Sequence, residues 1–190
     1  MTKCPLNYSE PVKRLVAFGI DWYLSSLCVT AVLTAVGSIE KGSFSICSSV
    51  FGFSAAGAWI SLALSLLIVS FYYYLPQLFS PKTHSGQSFG KLCLHIHVQK
   101  LNQKPYTFSS NVMRTLVGIV LVEQEFNFCA YVLRSVLTIS SGSSLVSNIL
   151  FYAGTIVSCI SIFLLFKDPN HQMIHDKLAG TVVVNNSEIH

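Results

Sequence analysis

Charged side chains are scarce in this chain. Asp, Glu, Lys and Arg make up 11% of its 190 residues, where an ordinary soluble domain carries about 25%. Hydrophobic residues reach 52%. Too few polar side chains remain to coat a globule of this mass. That excludes a simple soluble enzyme, a disordered chain and a basic nucleic-acid-binding arm. A nucleotide loop is also lacking. Residues 86–91 read GQSFGK, but the spacing is too short, and Leu92 stands where Ser or Thr would follow the lysine. No nucleophile elbow or paired catalytic motif is present, so neither an enzyme nor a cofactor is expected. The 6 cysteines are scattered. Cys28, Cys129 and Cys159 lie inside apolar runs, where free Cys acts as a small hydrophobe, and no disulfide framework is read.

Long apolar runs are what the sequence does contain. About 20 apolar residues cross a bilayer as a helix. Residues 15–36, 55–75 and 145–166 meet that length, with Asp21 the one charge among them. A fourth run, 113–135, is weaker because it carries Glu123, Gln124, Glu125 and Asn127. Backbone groups in lipid must be satisfied within the segment, so these spans are helices. The first follows Lys13 and Arg14, as a signal peptide would. It is too long and holds an acid, so it is expected to be retained.

Positive charge sets the orientation. With four spans, Lys3, Lys13, Arg14, Lys82, Lys91, Lys100, Lys104, Arg114, Lys167 and Lys177 fall on one side, leaving Lys41 and Arg134 of the 12 basic residues. Both termini are therefore expected in the cytoplasm. Tyr72, Tyr73 and Tyr74 close the second span as an interfacial belt before Pro76.

The middle loop alternates from Leu92: Leu92, Leu94, Ile96 and Val98 on one face, and Cys93, His95, His97 and Gln99 on the other. Period two reads as a half-buried strand. Tyr106 to Phe108 could return as its partner, giving a cytoplasmic hairpin over 86–108. Thr181 to Val184 reads as a further strand in a tail of 167–190, and a small sheet under the membrane is expected to join the hairpin to it. Met173 to Leu178 reads as a short helix stopped by Gly180. The expected architecture is an all-α integral membrane protein: four transmembrane helices in one domain, 1–190, with a small cytoplasmic β-hairpin and a C-terminal strand.

Several of these features occur together in one family. Arg14 precedes the first span and Asp21 lies inside it. GQSFGKLCLHIHV follows the second span, Arg114 opens the third, and HDKLAGT closes the tail. This pattern resembles the RDD family of membrane proteins, with Arg14 matching its arginine, Asp21 its first aspartate and Asp176 its second. The hairpin turn through Leu101, Asn102 and Gln103 departs from the family's Asp-Gly type. The resemblance implies a prokaryotic cell (inner) membrane and a transport-related role, with sodium/proton antiport proposed for some members.

Asp21 is the leading polar candidate. It lies seven residues from Arg14, on the same helix stripe and about 10 Å along the axis. A charge at mid-membrane costs roughly 2.5–3.5 kcal/mol, so it faces the bundle interior and needs a partner. It reads either as a proton or cation carboxylate, or as a polar staple to a neighbouring helix. Glu123 and Glu125 could join it in a cation path. They could instead mark a broken third segment, or pair with Arg114 and Arg134. Asp176 is expected to accept hydrogen bonds from Arg14 or Arg114 and so dock the tail. Cys93, His95, His97, His171 and His175 are residue types that hold zinc. No compact motif joins them, and metal binding is not expected.

Two functional readings remain open. One is a carrier of a monovalent cation or small solute, with Asp21 as its carboxylate. The other is a non-transporting scaffold or accessory subunit in which Arg14, Asp21 and Asp176 are structural. In either reading the lipid bilayer is the main partner. Four spans rarely enclose a pathway, so a homo-oligomer or a partner membrane subunit is expected.

Overall fold

Polar residues inside and apolar residues outside define this bundle. The structure, a computed structural model, describes residues 8–79, 87–102, 107–123 and 127–185. Ser25, Ser61, Ser65, Ser158, Ser161, Asp21 and Glu123 are buried, while Leu67, Ile156 and Phe163 are more than 60% exposed. Water would penalise that outer surface, whereas lipid tails solvate it. Three helices are long and apolar enough to cross a membrane: α1 (Pro11–Lys41), α2 (Ala55–Phe79) and α6 (Leu145–Lys167).

The weak fourth run is broken. A short helix, α4 (Phe108–Val112), continues as wide π-helical turns over Met113–Glu123, and α5 (Phe128–Ser141) follows. The two halves, Ser109–Glu123 and Phe128–Ser141, differ in direction by 55°. Asn127 starts the second half, its side chain accepting from Cys129 N at 2.8 Å, as an N-cap does. Glu123 and Asn127 therefore do not continue one helical face.

The inward face of α1 carries Arg14, Ala17, Asp21, Ser25, Val29, Leu33 and Val36, spaced by three and four as one side of a helix requires. Val29, Leu33, Val36, Val50, Leu62, Val69, Cys129, Val132 and Val136 form the main core.

The expected strand is shorter than its pattern. A five-residue helix, α3 (Phe89–Cys93), occupies the start of the alternating run, and β1 covers Ile96–Lys100. Period two from Leu92 is overridden because Ser88 and Gly90 are tied to α1, which turns the chain before it can extend. The hairpin partner is also different. Phe108 opens α4 with Thr107 as its cap, and Tyr106 lies outside the described residues. β1 pairs antiparallel with β2 (Thr181–Asn185), in register from Ile96 opposite Asn185 to Lys100 opposite Thr181. Tyr8 adds an isolated bridge to Val184. The short helix α7 (Ile174–Ala179) precedes β2 and ends at Gly180 with φ 61°. The sheet thus joins three distant parts of the chain beside the N-terminal end of α1.

Candidate functional site

Asp176 sits in the first turn of α7 and is fully buried. Its two carboxylate oxygens meet two arginines. Arg14 from α1 donates to Oδ2, and Arg114 from the π-helical segment donates through Nε to Oδ1 at 2.9 Å. Met173 N adds a bond at 3.3 Å. Burial alone would raise the Asp176 carboxyl, but the charges of Arg114 and Arg14 overcome it and hold the group well below the usual carboxylate range. Arg14 also donates to the carbonyl of His171. His171 has a left-handed backbone at φ 51°, a conformation that costs a non-glycine residue about 1–3 kcal/mol. The sequence suggested one arginine for Asp176; the structure supplies both.

Beside this lies a second buried pair. Glu123 Oε2 is 2.8 Å from His175 Nδ1, and its Oε1 accepts from His175 N at 3.0 Å and from Ser161 Oγ at 2.5 Å. His175 Nε2 lies 3.1 Å from Arg114. A guanidinium only donates, so Nε2 accepts, and the ring proton sits on Nδ1 facing Glu123. Arg114 therefore links both carboxylates through one side chain. The close approach of α7 needs Gly118, where a Cβ would lie 2.5 Å from the Cβ of His175. Sequence reading missed the Glu123–His175 pair. Its one visible signal was Ser158 and Ser161, polar residues one turn-stripe apart in an otherwise apolar span.

Asp21 stands apart from both groups. Its oxygens accept from Tyr72 Oη at 2.8 Å, from Gly90 N at 2.8 Å and from Ser88 Oγ. Its partners are thus a neighbouring helix and the α3 loop, not Arg14. Gly90 lies so close to α1 that a Cβ there would be 2.2 Å from the carbonyl oxygen of Ala17. The SFG stretch, which lacks the spacing of a nucleotide loop, is therefore the socket for Asp21. Tyr72, read as part of an interfacial belt, is its donor.

Between these groups lies a cavity of about 50 Å³, lined by Arg14, Asp21, Lys91, Arg114 and His175 among apolar side chains. Lys91 is half-buried, and burial together with the charge of Arg114 pushes its ammonium down to about 7.

The zinc candidates do not assemble. Cys93 ends α3, His95 occupies a turn at φ 53°, and His97 alone of the three lies in β1, so they share no strand face. His171 precedes α7 and binds the carbonyl of Leu165 at 3.0 Å, so it is not one helical turn from His175. Among the described residues no group of three ligands is close enough to hold a metal. Glu125, the remaining acid candidate, lies outside the described residues. Cys28, Cys47, Cys93, Cys129 and Cys159 are free thiols.

No curated protein and no solved structure matches the chain. The sequence model of the RDD family matches residues 8–180. That range takes in the three long apolar helices, the bent pair, β1 and α7, and it ends just before β2. The chain, with Arg14 and Arg114 joined to Asp176 at one end of an apolar bundle, belongs to the RDD family.

Proposed function

We propose that this protein is a multi-pass membrane scaffold or accessory subunit, in which Arg14, Asp21 and Asp176 are architectural. In this reading the bent pair is a fourth span. Both termini lie in the cytoplasm of a cell (inner) membrane, and a second copy or a partner membrane subunit completes the assembly. It has no catalytic role. One observation supports this reading: each described buried acid is already engaged. Asp21 has three donors, Glu123 three contacts with His175 and Ser161, and Asp176 two arginines. A cation carrier needs a carboxylate with open lone pairs on a reachable path. Here the cavity beside Asp21 is walled by positive side chains.

Exchange of a monovalent cation or small solute for protons, with Asp21 as carrier, is the competing reading. Its support is the proximity of Asp21 to Lys91 across one cavity. The deciding experiment places purified protein in vesicles and follows internal pH after sodium, potassium or lithium addition, with Asp21→Asn beside it. The architectural reading expects no cation-driven pH change from either protein. A response that vanishes in a normally folded Asp21→Asn protein overturns it.

A further inference from the structure

The cavity between α1, α3, the π-helical segment and α7 has an unusual wall. Arg14, Lys91 and Arg114 contribute cationic side chains to it, and Asp21 contributes the one carboxylate. The oxygens of Asp21 already take three donors, so its acceptor capacity is largely spent. Asp176, bonded to both arginines, offsets part of their charge. Lys91 is left over. Among the described residues no hydrogen bond or salt bridge engages its ammonium. Arg14 is 6% exposed and spends two of its five N–H groups, on His171 and Asp176. An ammonium and a guanidinium that face a cavity with donors to spare are suited to an anion that enters it.

We propose that this cavity is a binding site for a compact oxyanion of the phosphate class, held chiefly by Lys91 and Arg14. The space suits it. A cavity of about 50 Å³ has room for about four waters at roughly 10–15 Å³ each, comparable with one tetrahedral oxyanion. Beside Tyr73 and His175 the rest of the wall is apolar, from Phe18, Ile96, Ile119, Met173 and Val183, so an ion pair there is poorly screened by solvent. The depressed Lys91 agrees with this: burial and the charges of Arg114 and Arg14 lower its ammonium by more than Asp21 and Asp176 raise it. The phosphate could be a free ion or the headgroup of an anionic lipid, because the site lies at the sheet-bearing end of the apolar helices. The inference stands independently of the scaffold reading, since an architectural protein and a carrier could each hold an anion here.

The experiment uses the full chain, purified and delipidated in neutral detergent. Inorganic phosphate is titrated calorimetrically. In a parallel arm, native mass spectrometry scores retention of phosphatidylglycerol against phosphatidylcholine. Lys91→Gln removes the charge at similar length, and Lys91→Arg restores it. Because Lys91 makes no described bond, Lys91→Gln should fold, which circular dichroism and thermal melting verify. Binding in either arm, weakened about tenfold or more by Lys91→Gln and recovered by Lys91→Arg, is the expected result. Phosphate binding identifies a free-ion site, and selective phosphatidylglycerol retention alone identifies a headgroup site. Absence of binding in both arms, or equal binding by Lys91→Gln, overturns the proposal.

Discussion

At the sheet-bearing end of the bundle, Arg14 reaches Asp176 across 162 positions of sequence. At the far end, Glu40 binds Ser54 across 14. Both contacts join a carboxylate to a donor, yet they do different work. Asp176 is buried with its two arginines, so each charge depends on the others for the solvation that water would supply. Glu40 is exposed, and water can replace its partner. Gly42 and Gly142 close α1 and α5 there in left-handed caps at φ 64° and 65°, and the long-range bonds of that end, Trp59 to Ser140 and Tyr131 to Ser49, join neutral side chains. The buried pairs of Asp176 with Arg14 and Arg114 and of Glu123 with His175 are therefore gathered at one end, where the start of α1, the α3 loop and the tail meet.

The sharpest way to break this contrast is Asp176→Ala. It leaves two buried guanidinium groups facing each other and should cost about 3–5 kcal/mol. Urea or thermal unfolding in micelles measures it. Asp176→Asn should be less damaging but still severe, because the amide keeps one acceptor while losing the charge. The same carboxyl sets an acid dependence. Its folded-state value lies below the ordinary one, near 3.9 for Asp. Its stabilisation is therefore complete at neutral pH and is lost as pH falls below that value towards the folded-state one. The stability of the natural chain should fall with acid more steeply than that of Asp176→Asn, in melts recorded from pH 6 downward.

Next in size is Gly90→Ala. The new Cβ would meet backbone, the Ala17 carbonyl oxygen at 2.2 Å, which cannot rotate away. The α3 loop must shift and loosen its bond to Asp21, at about 1–3 kcal/mol, the usual cost of overpacking. Tryptophan fluorescence from Trp22 reports it, since that residue follows Asp21 in α1. If Gly90→Ala is neutral, the Asp21 socket is softer than the Asp176 clamp, and the contrast narrows.

Much of this was legible in the residues. Span lengths gave the apolar helices, and the Arg14–Asp21 spacing placed both on the inward stripe. Gly180 marked the end of α7, and Asp176 was marked for an arginine. That the tail strand joins the sheet was legible, but its pairing directly with β1, with no return strand between, was not. Period two at Leu92 to Gln99 is a local signal, whereas the direct pairing depends on α7 docking through Gly118, a contact between residues far apart. The Glu123–His175 pair was missed for the same reason. A single acid in an interrupted span points equally to an ion path, a break or a pairing. The π-helical turns and the α6 serines that resolve the ambiguity have no sequence period of their own. Asp21 faces the interior as its charge demands, but two of its three donors, Ser88 and Gly90, lie in a loop with no sequence signal for that contact.

The smallest effect belongs to the far end. Glu40 accepts from Ser54 N at 3.1 Å and from its hydroxyl, and so satisfies an orphan donor at the start of α2, as a cap would. Glu40→Ala removes that acceptor but opens the space that Gly57 shares with the Glu40 carboxylate, where a Cβ would lie 2.1 Å from Oε1. Water can enter and serve Ser54 in its place. The loss should be about 0.5–1 kcal/mol, in the range of an exposed helix cap. It should be nearly additive with Gly90→Ala, because no shared partner connects the two sites. Unfolding of the single and double variants tests both points. A strongly non-additive result would mean that α1 transmits strain between its ends, and the two ends would then have to be treated as one cooperative unit.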